Sequence, residues 1–487
     1  MSSSTSVPLS SLGVGAGINS ESIISALVAV DQKPIDQLAS EQSSMKTQLS
    51  SIGKLASLTS TMRDAAKALT QSSLWQSMKV SSADSTVVTG SVADGGAAGN
   101  YGVSVQALAS GQTITSGSFS SSSATLNTGK LTIQLGTWSG SNFTSQSGSS
   151  PVSITIGSGD TSLSSIRDKI NAANAGVTAT IVNDANGARL SLRSSTTGAV
   201  NGFKVTATED SDDGNANTGL SALGYDPSSS NSSPMSLNQS AGNAKATING
   251  IQVESTTNTF SNVADGLTIT VGKVSSSEVA LTSVSNTDSM KTAVNAFVTS
   301  YNALVSYIKD QTKYTPPTSK GTQGVGGPLQ GDSTTMNLLS QMRSVINATS
   351  TASGTYQHLS DLGISTAADG TLTVTSKLDT ALANPSELAK AMATDGTDAG
   401  SSGFMDRFLN LGNAVLDSTS GSLQLSQNAL NDKIKRNQDR QDQLTDHLNS
   451  YEARLRAQYQ TLDTQMASLN ALSSYVTQQV SALSKSA

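Results

Sequence analysis

The chain has 487 residues, too many for one compact core, so two to four domains are expected. Apolar residues make up 36%, aromatics 4% and charged residues 13%, with the balance in Ser, Thr, Ala, Asn, Gln and Gly. That balance fits neither a densely cored enzyme nor a charge-driven disordered tail, and it suits thin β modules and polar helices with a narrow apolar seam. A net charge of −6 with scattered Lys and Arg argues against nucleic-acid and anionic-membrane partners, and zero Cys excludes disulfides, thiol nucleophiles and Cys-ligated metal.

In chain order, the first signal is Leu12-Gly13-Val14-Gly15-Ala16-Gly17-Ile18-Asn19. Its glycines permit a turn and Asn19 is an N-cap for a helix carrying Ile23, Ile24, Leu27 and Val28. Pro34 is expected to end that helix near Lys33 and to open the next. From Ile35 to about Leu74, Leu38, Met45, Leu49, Ile52, Leu55, Met62, Ala66 and Leu69 recur at helical steps. Gly53 and many Ser residues weaken this helix, so it needs a partner.

After Met78 the period changes to two. Val103 to Ala107, Leu131 to Leu135 and Val152 to Ile156 read as half-buried strands, with 110–127 and 139–151 as loops. A short helix spans Ser162 to Ala175, followed by strands at Val177–Val182 and Arg189–Arg193 around Asn186-Gly187. Residues 208–240 read as a long loop. Two Asx-Gly turns, Asn249-Gly250 and Asp265-Gly266, sit inside alternating apolar runs between Ala246 and Val274. Helices follow at Ser289–Tyr307 and Ser333–Ile346, then a hairpin around Asp369-Gly370.

The longest pattern is last. Ile434, Gln441, Leu448, Leu455, Leu462, Leu469, Val476 and Leu483 recur every seven residues, and Leu423, Leu430, Asn437, Leu444 and Tyr451 form a second row. The rows interleave as coiled-coil core positions do, with no Pro or Gly from Ser422 onward. An unpaired helix would leave this seam in water. Asn437 and Gln441 are polar seam residues of the kind that set register.

Chemistry-bearing constellations are sparse. His358 and His447 are far apart in sequence, and His447 is expected to face solvent. No Gly-x-Ser-x-Gly elbow occurs, the Gly13–Gly17 run lacks a Walker lysine, and Glu209 to Asp213 lacks EF-hand order. No catalytic, cofactor-binding or metal residue is assigned. The cluster Lys433, Lys435 and Arg436, interleaved with Asp432, Asp439 and Asp442, reads as a solvated helix face. Met-Ser-Ser-Ser at the start lacks the basic and apolar regions of a cleaved secretory signal.

Several segments resemble one family in its order. Leu12 to Val28 and Lys33-Pro34-Ile35-Asp36-Gln37-Leu38 resemble the N-terminus of the bacterial flagellar filament-capping proteins (hook-associated protein type 2). Asn249 to Ile269 resembles the small hook repeat of flagellin-related proteins. Phe297 to Leu304, Pro328 to Ser333 and Leu362 to Leu372 resemble the family's C-terminal region. Residues 107–240 match in style alone.

The resemblance implies an α+β multidomain chain: a helical leg bundle or coiled coil from both termini plus antiparallel β-rich heads. The expected division is a terminal assembly segment (1–40), the N-terminal part of the leg (41–80), a β-rich head (81–106 with 241–285), an inserted β-rich head (107–240), leg with a small hairpin (286–422) and a C-terminal assembly segment (423–487). It implies a five- or six-fold ring at the flagellar tip that promotes flagellin folding and insertion. It also implies type III export with the N-terminus intact, and contacts to flagellin, a hook–filament junction protein and an export chaperone. No enzyme activity, cofactor, nucleic acid or membrane partner follows. The expected packing and oligomer residues are Leu38, Met45, Leu49, Ile52, Leu55, Met62, Leu69, Ile434, Leu448, Leu455, Leu462, Leu469, Val476 and Leu483. A tip adhesin for host mucin or surface glycans, a filament or junction subunit, and a hydrolase are the competing readings.

Overall fold

The structure, a computed structural model, describes residues 19–229, 233–317 and 323–485, with the side chains of Leu483 and Lys485 outside that description. Two compact units emerge. One joins the two ends of the chain (up to Ser72, and from Asp288 onward), and the other is the middle, Ser73–Thr287.

The chain opens on α1 (Ser20–Leu69) and the short α2 (Ser72–Gln76). Asn19 caps α1 by accepting from the Ser22 N–H at 3.1 Å. The expected break at Pro34 does not occur: α1 runs unbroken through it, and through position 40. Pro34 removes one ladder hydrogen bond. Contacts with the last helix on both sides, at Glu21 and at Gln42, override that local bias.

The middle unit has two cores. Strands β1 (Met78–Ser82), β2 (Val88–Val92), β3 (Gly99–Ala107), β4 (Thr113–Thr115), β5 (Gly129–Ser139), β6 (Asn142–Ser145) and β7 (Val152–Ile156) precede α3 (Leu163–Ala172). Then come β8 (Val177–Asp184), β9 (Gly187–Ser194), β10 (Gly202–Glu209), β11 (Ser236–Gln239), β12 (Ala244–Ile248), β13 (Ile251–Ser255), β14 (Thr259–Ala264), β15 (Leu267–Val271) and β16 (Val279–Ser285).

The first core lies between sheet β1-β16-β3-β12-β13 and sheet β14-β15-β2, filled by Val88, Val103, Val105, Ala246, Leu267, Ile269 and Leu281. Both Asx-Gly turns are as expected. Asn249 and Gly250 have φ of 49° and 82°, and Asp265 and Gly266 have 34° and 84°, the left-handed pair that a two-residue I′ turn demands. The resulting registers set Ile248 opposite Ile251 and Ala264 opposite Leu267, with Ile248 and Leu267 buried and Ile251 left exposed at the edge.

The second core is built from chain inserted between β3 and β12. Sheet β10-β5-β6, with β7 also on β5, and sheet β11-β4-β9-β8 enclose Leu131, Ile133, Ile166, Leu190, Phe203 and Val205. Three stretches read as loops need correction. Residues 110–127 contain β4 with Ile114 fully buried, 139–151 contain β6, and 208–240 contain a 3₁₀ turn (Leu220–Leu223) and β11. Leu220, Leu223, Tyr225 and Met235 enter the core singly, so no period announces them.

The terminal unit continues with α4 (Thr287–Thr312), hairpin β17 (Tyr314–Thr315) and β18 (Val325–Gly326), and α5 (Ser333–Asn347). Hairpin β19 (Ile364–Thr366) and β20 (Leu372–Val374), α6 (Lys377–Leu382), α7 (Pro385–Ala393), α8 (Phe404–Leu416) and α9 (Ser422–Lys485) follow. Phe297 and Tyr301 of α4 meet Phe408 of α8 at ring distances of 5.0 and 6.0 Å. Asn302 grips β20 with both ends of its amide, donating to the Leu372 carbonyl at 2.8 Å and accepting from its N–H at 2.7 Å. The architecture is α+β and multidomain, with helices from both termini and antiparallel sheets between.

Candidate assembly surface

The functional side chains singled out by sequence lie on α1 and α9. These helices run antiparallel: Glu21 meets Arg456, Gln42 meets Gln438, and Gly53 lies beside Gln427. As numbers rise along one helix they fall along the other. α8 joins the same face, with Gly412 against Arg63.

Burial along the pair is graded. Ile52, Leu55, Met62, Ala66 and Leu69 are fully buried, because α8 and, through Tyr307 and Gln311, α4 pack around this half of α1. Tyr307 donates to the Ser51 carbonyl at 3.1 Å and Ser51 Oγ donates to Gln311 at 2.9 Å. Leu38, Met45 and Leu49 are half-buried, as expected where two helices pack without a third. On α9, Leu423, Leu430, Leu448 and Leu455 are buried and Ile434 is half-buried. The polar seam residues pair with each other: Gln441 donates its amide to buried Asn437 at 2.5 Å.

The covered seam ends at a cluster of charges. Both terminal nitrogens of Arg456 donate to Glu21, each at 2.8 Å, and Nε donates to Glu452 at 3.0 Å. The two carboxylates raise the guanidinium pKa, and Glu21 also sits on the positive end of the α1 dipole. Sequence reading missed this cluster. Its members are 435 residues apart, and ordinary charged residues carry no pairing signal.

Beyond Arg456 the pattern continues, and among the described residues the cover stops. Leu462 is 43% exposed, Leu469 58% and Val476 52%, and Leu472, Tyr475 and Val480 are exposed beside them. The side chain of Leu483 and the Gly13–Gly17 run fall outside the described residues. The structure therefore brings ten of the predicted packing residues (Leu38, Met45, Leu49, Ile52, Leu55, Met62, Leu69, Ile434, Leu448 and Leu455) into the helical packing, and leaves Leu462, Leu469 and Val476 bare.

Elsewhere the candidate chemistry is structural. His447 is exposed on α9, and His358 lies 3.4 Å from Asp361 on the surface. Glu209 is no loop carboxylate: it ends β10, accepts from the Ser221 N–H at 2.7 Å and takes the Asn127 amide. Among the described residues no group of His, Asp and Glu is placed to hold a metal ion, and no helix is long and apolar enough to cross a membrane.

Comparison with known proteins decides the relationship. The family model for the N-terminus of flagellar hook-associated protein 2 matches residues 16–112, and that for its C-terminus matches 241–471. Flagellar hook-associated protein 2 of Escherichia coli K12 is 32% identical over 482 residues, covering 97% of this chain and 98% of that protein. The chain belongs to the flagellar hook-associated protein 2 family. The B-type hook-associated protein 2 of Pseudomonas aeruginosa is 30% identical over 382 residues, covering 76% of this chain and 77% of that one. The crystal structure of the D1-D2-D3 domains of the flagellar cap protein FliD from Escherichia coli superposes with a TM-score of 0.61 at 29% identity, covering 78% of this chain and 99% of that one.

One expectation is corrected by the same comparison. The flagellin hook IN motif matches residues 142–196, the β6-to-β9 stretch with α3, whereas Asn249 to Ile269 falls inside the match to the C-terminal family model. Both stretches pair strands through an Asx-Gly turn, which is the feature that misled the sequence reading.

Proposed function

We propose that this chain caps the distal end of a bacterial flagellar filament, closing with copies of itself into a five- or six-fold ring that promotes flagellin folding and insertion. The observation that carries this reading is the bare half of α9. Leu462, Leu469, Leu472, Val476 and Val480 continue the apolar pattern of the covered half and are exposed, with no cover among the described residues. Fully burying a Leu contributes about 1.5–3 kcal/mol, so a stripe of this length favours association strongly. Family membership supports the flagellar setting, with the chain exported to the extracellular tip. Flagellin, a junction protein and an export chaperone are the proposed partners. A cap works through shape and binding energy, so no covalent chemistry is needed. The division into terminal assembly segments, leg and two heads stands as part of this proposal.

Electron microscopy of the purified full chain tests it. A closed ring is expected, and the double variant Leu469→Asp with Val476→Asp should abolish rings while leaving the melting temperature of the monomer unchanged. An open filament, or rings indifferent to both substitutions, would overturn the proposal. In cells lacking their own cap, the same double variant should fail to restore motility and should shed monomeric flagellin.

A further inference from the structure

A cyclic ring needs two surfaces on every chain. A face that meets the same face of a second copy obeys a two-fold axis, and that pairing is complete at two chains. Five or six chains close into a ring only when one face of each copy meets a different face of the next. The exposed half of α9 is one such face. It calls for a second, different face to receive it.

Among the described residues, the large exposed apolar side chains outside α9 are mostly isolated. Met336 stands alone on α5, and others sit singly on strands, turns or loops. One helix face is different. Ile23, Leu27 and Val30 of α1 are 36%, 39% and 60% exposed at steps of four and three, and exposed Pro34 continues the row four residues on. Ser20 and Ile24 are buried on another side of the same turns. So α1 is covered on one side here and shows an apolar row on another.

The two faces match in chemistry and in length. α1 carries no charged residue from Ser22 to Val30, and α9 carries none from Thr464 to Ser484, although charges recur along α9 from Asp432 to Asp463. Two uncharged rows can dry each other without stranding a charge. The α1 row, Ile23 to Pro34, is about 16 Å long at 1.5 Å per residue, and Leu469, Leu472, Val476 and Val480 span the same length in steps of three and four. Rows of that spacing interdigitate when two helices pack.

We infer, resting on the ring reading, that the Ile23, Leu27 and Val30 row of each copy receives the exposed half of α9 from the next copy. The ring then closes by head-to-tail contacts between terminal helices. The contact has to be between chains. Arg456 lies against Glu21 and the helices are antiparallel, so Val476 lies about 30 Å to one side of that cluster and Leu27 about 9 Å to the other.

The chain has no Cys, so introduced pairs report one contact each. In the full chain, Leu27→Cys is combined in turn with Leu469→Cys, Leu472→Cys or Val476→Cys and oxidised. At least one pair should give a covalent ladder on a denaturing gel, ending at the number of chains that electron microscopy counts in the ring. A disulfide spans only about 4.4–6.8 Å between Cα atoms, so the two positions of one chain cannot join. A second test needs no bond. Leu27→Glu with Val30→Glu should abolish rings, as Leu469→Asp with Val476→Asp should, and leave the circular dichroism spectrum unchanged. Mixed one to one, these two variants should sediment as a dimer and nothing larger, because each keeps one intact face. Rings that yield none of the cross-links, or that survive Leu27→Glu with Val30→Glu, would overturn the inference and leave the ring reading standing. A Leu27→Glu, Val30→Glu chain that still forms dimers on its own would overturn it too, since α9 would then meet α9. An unsubstituted chain that forms no ring would sink the ring reading and the inference together.

Discussion

The two halves of α9 carry one repeating apolar pattern and have opposite surroundings. From Leu423 to Leu455 the seam is covered by α1 and α8, and from Leu462 to Val480 it is exposed, with no cover among the described residues. The bare part is long, roughly 40 Å at 1.5 Å per residue. A heptad pattern therefore states that a face seeks burial, and leaves open whether the partner is in the same chain. Among the described residues the cover ends level with the start of α1 at Ser20, and the ion cluster around Arg456 marks the place.

That comparison can be broken by substituting like for like in the two halves. Leu448→Ala and Leu455→Ala should each cost about 2–3 kcal/mol, measured by urea denaturation of the full chain at concentrations where it is monomeric. Leu469→Ala under the same conditions should change stability by less than about 0.5 kcal/mol. Equal costs would mean that the bare half is covered in the monomer.

A smaller gain is expected on the other side of the seam. Gly53 sits mid-helix in α1, and a Cβ there would meet nothing closer than the Gln427 amide at 3.9 Å. Gly53→Ala should stabilise the chain by about 0.5–1 kcal/mol by restricting the unfolded backbone. A loss in the same urea titration would show that the helices pack closer than this spacing.

The charge cluster should contribute a similar small amount. Arg456 is partly exposed, so its pairing with Glu21 is screened, and Arg456→Ala should cost about 0.5–1 kcal/mol at low salt. The cost should shrink in 1 M NaCl, and hydrogen exchange should quicken in the first turns of α1. Unchanged exchange there would remove the cluster from its role at the limit of the covered seam.

The last prediction concerns the turn that feeds α9. Asp417 accepts from the N–H groups of Thr419 and Ser420 and from both hydroxyls, which holds its carboxyl well below the usual value of 3.8. A carboxylate depressed in the folded state stabilises it fully above the unfolded pKa, and that contribution is lost as pH falls below about 3.8 toward the depressed value. Wild type should lose this stabilisation on acidification. Asp417→Asn should start lower at neutral pH and show a flatter acid limb, followed by circular dichroism. Parallel limbs would assign the acid sensitivity to other carboxylates.

Helices α4, α5 and α9 were legible because long periods are hard to mistake, whereas the shorter α6, α7 and α8 were not read from the sequence. α9 is 64 residues of unbroken seam, and α4 and α5 matched their expected spans to within a few residues. The Asx-Gly turns were legible because two adjacent left-handed residues leave few alternatives to Asn, Asp and Gly. Pro34 misled, since a local cost was outweighed by contacts 396 and 435 residues away in sequence. β4, β11 and the 3₁₀ turn were invisible because each is at most four residues long and lies in a polar stretch: β4 buries Ile114 alone and β11 buries nothing. Amide clamps such as Asn302 on Leu372 were equally hidden: an Asn reads as a turn former until its partner is seen.

The hydrogen-bonded pair Asn437 and Gln441 has one more consequence. A seam made only of leucines repeats every seven residues, so α9 could slide one heptad along α1 and find an equally greasy groove. The amide pair is a single aperiodic mark on that ruler. Any slipped alignment would move it along α1 and would part Gln42 from Gln438 and Glu21 from Arg456. The alignment observed is the one that keeps both cross-helix contacts, ending with Arg456 against Glu21.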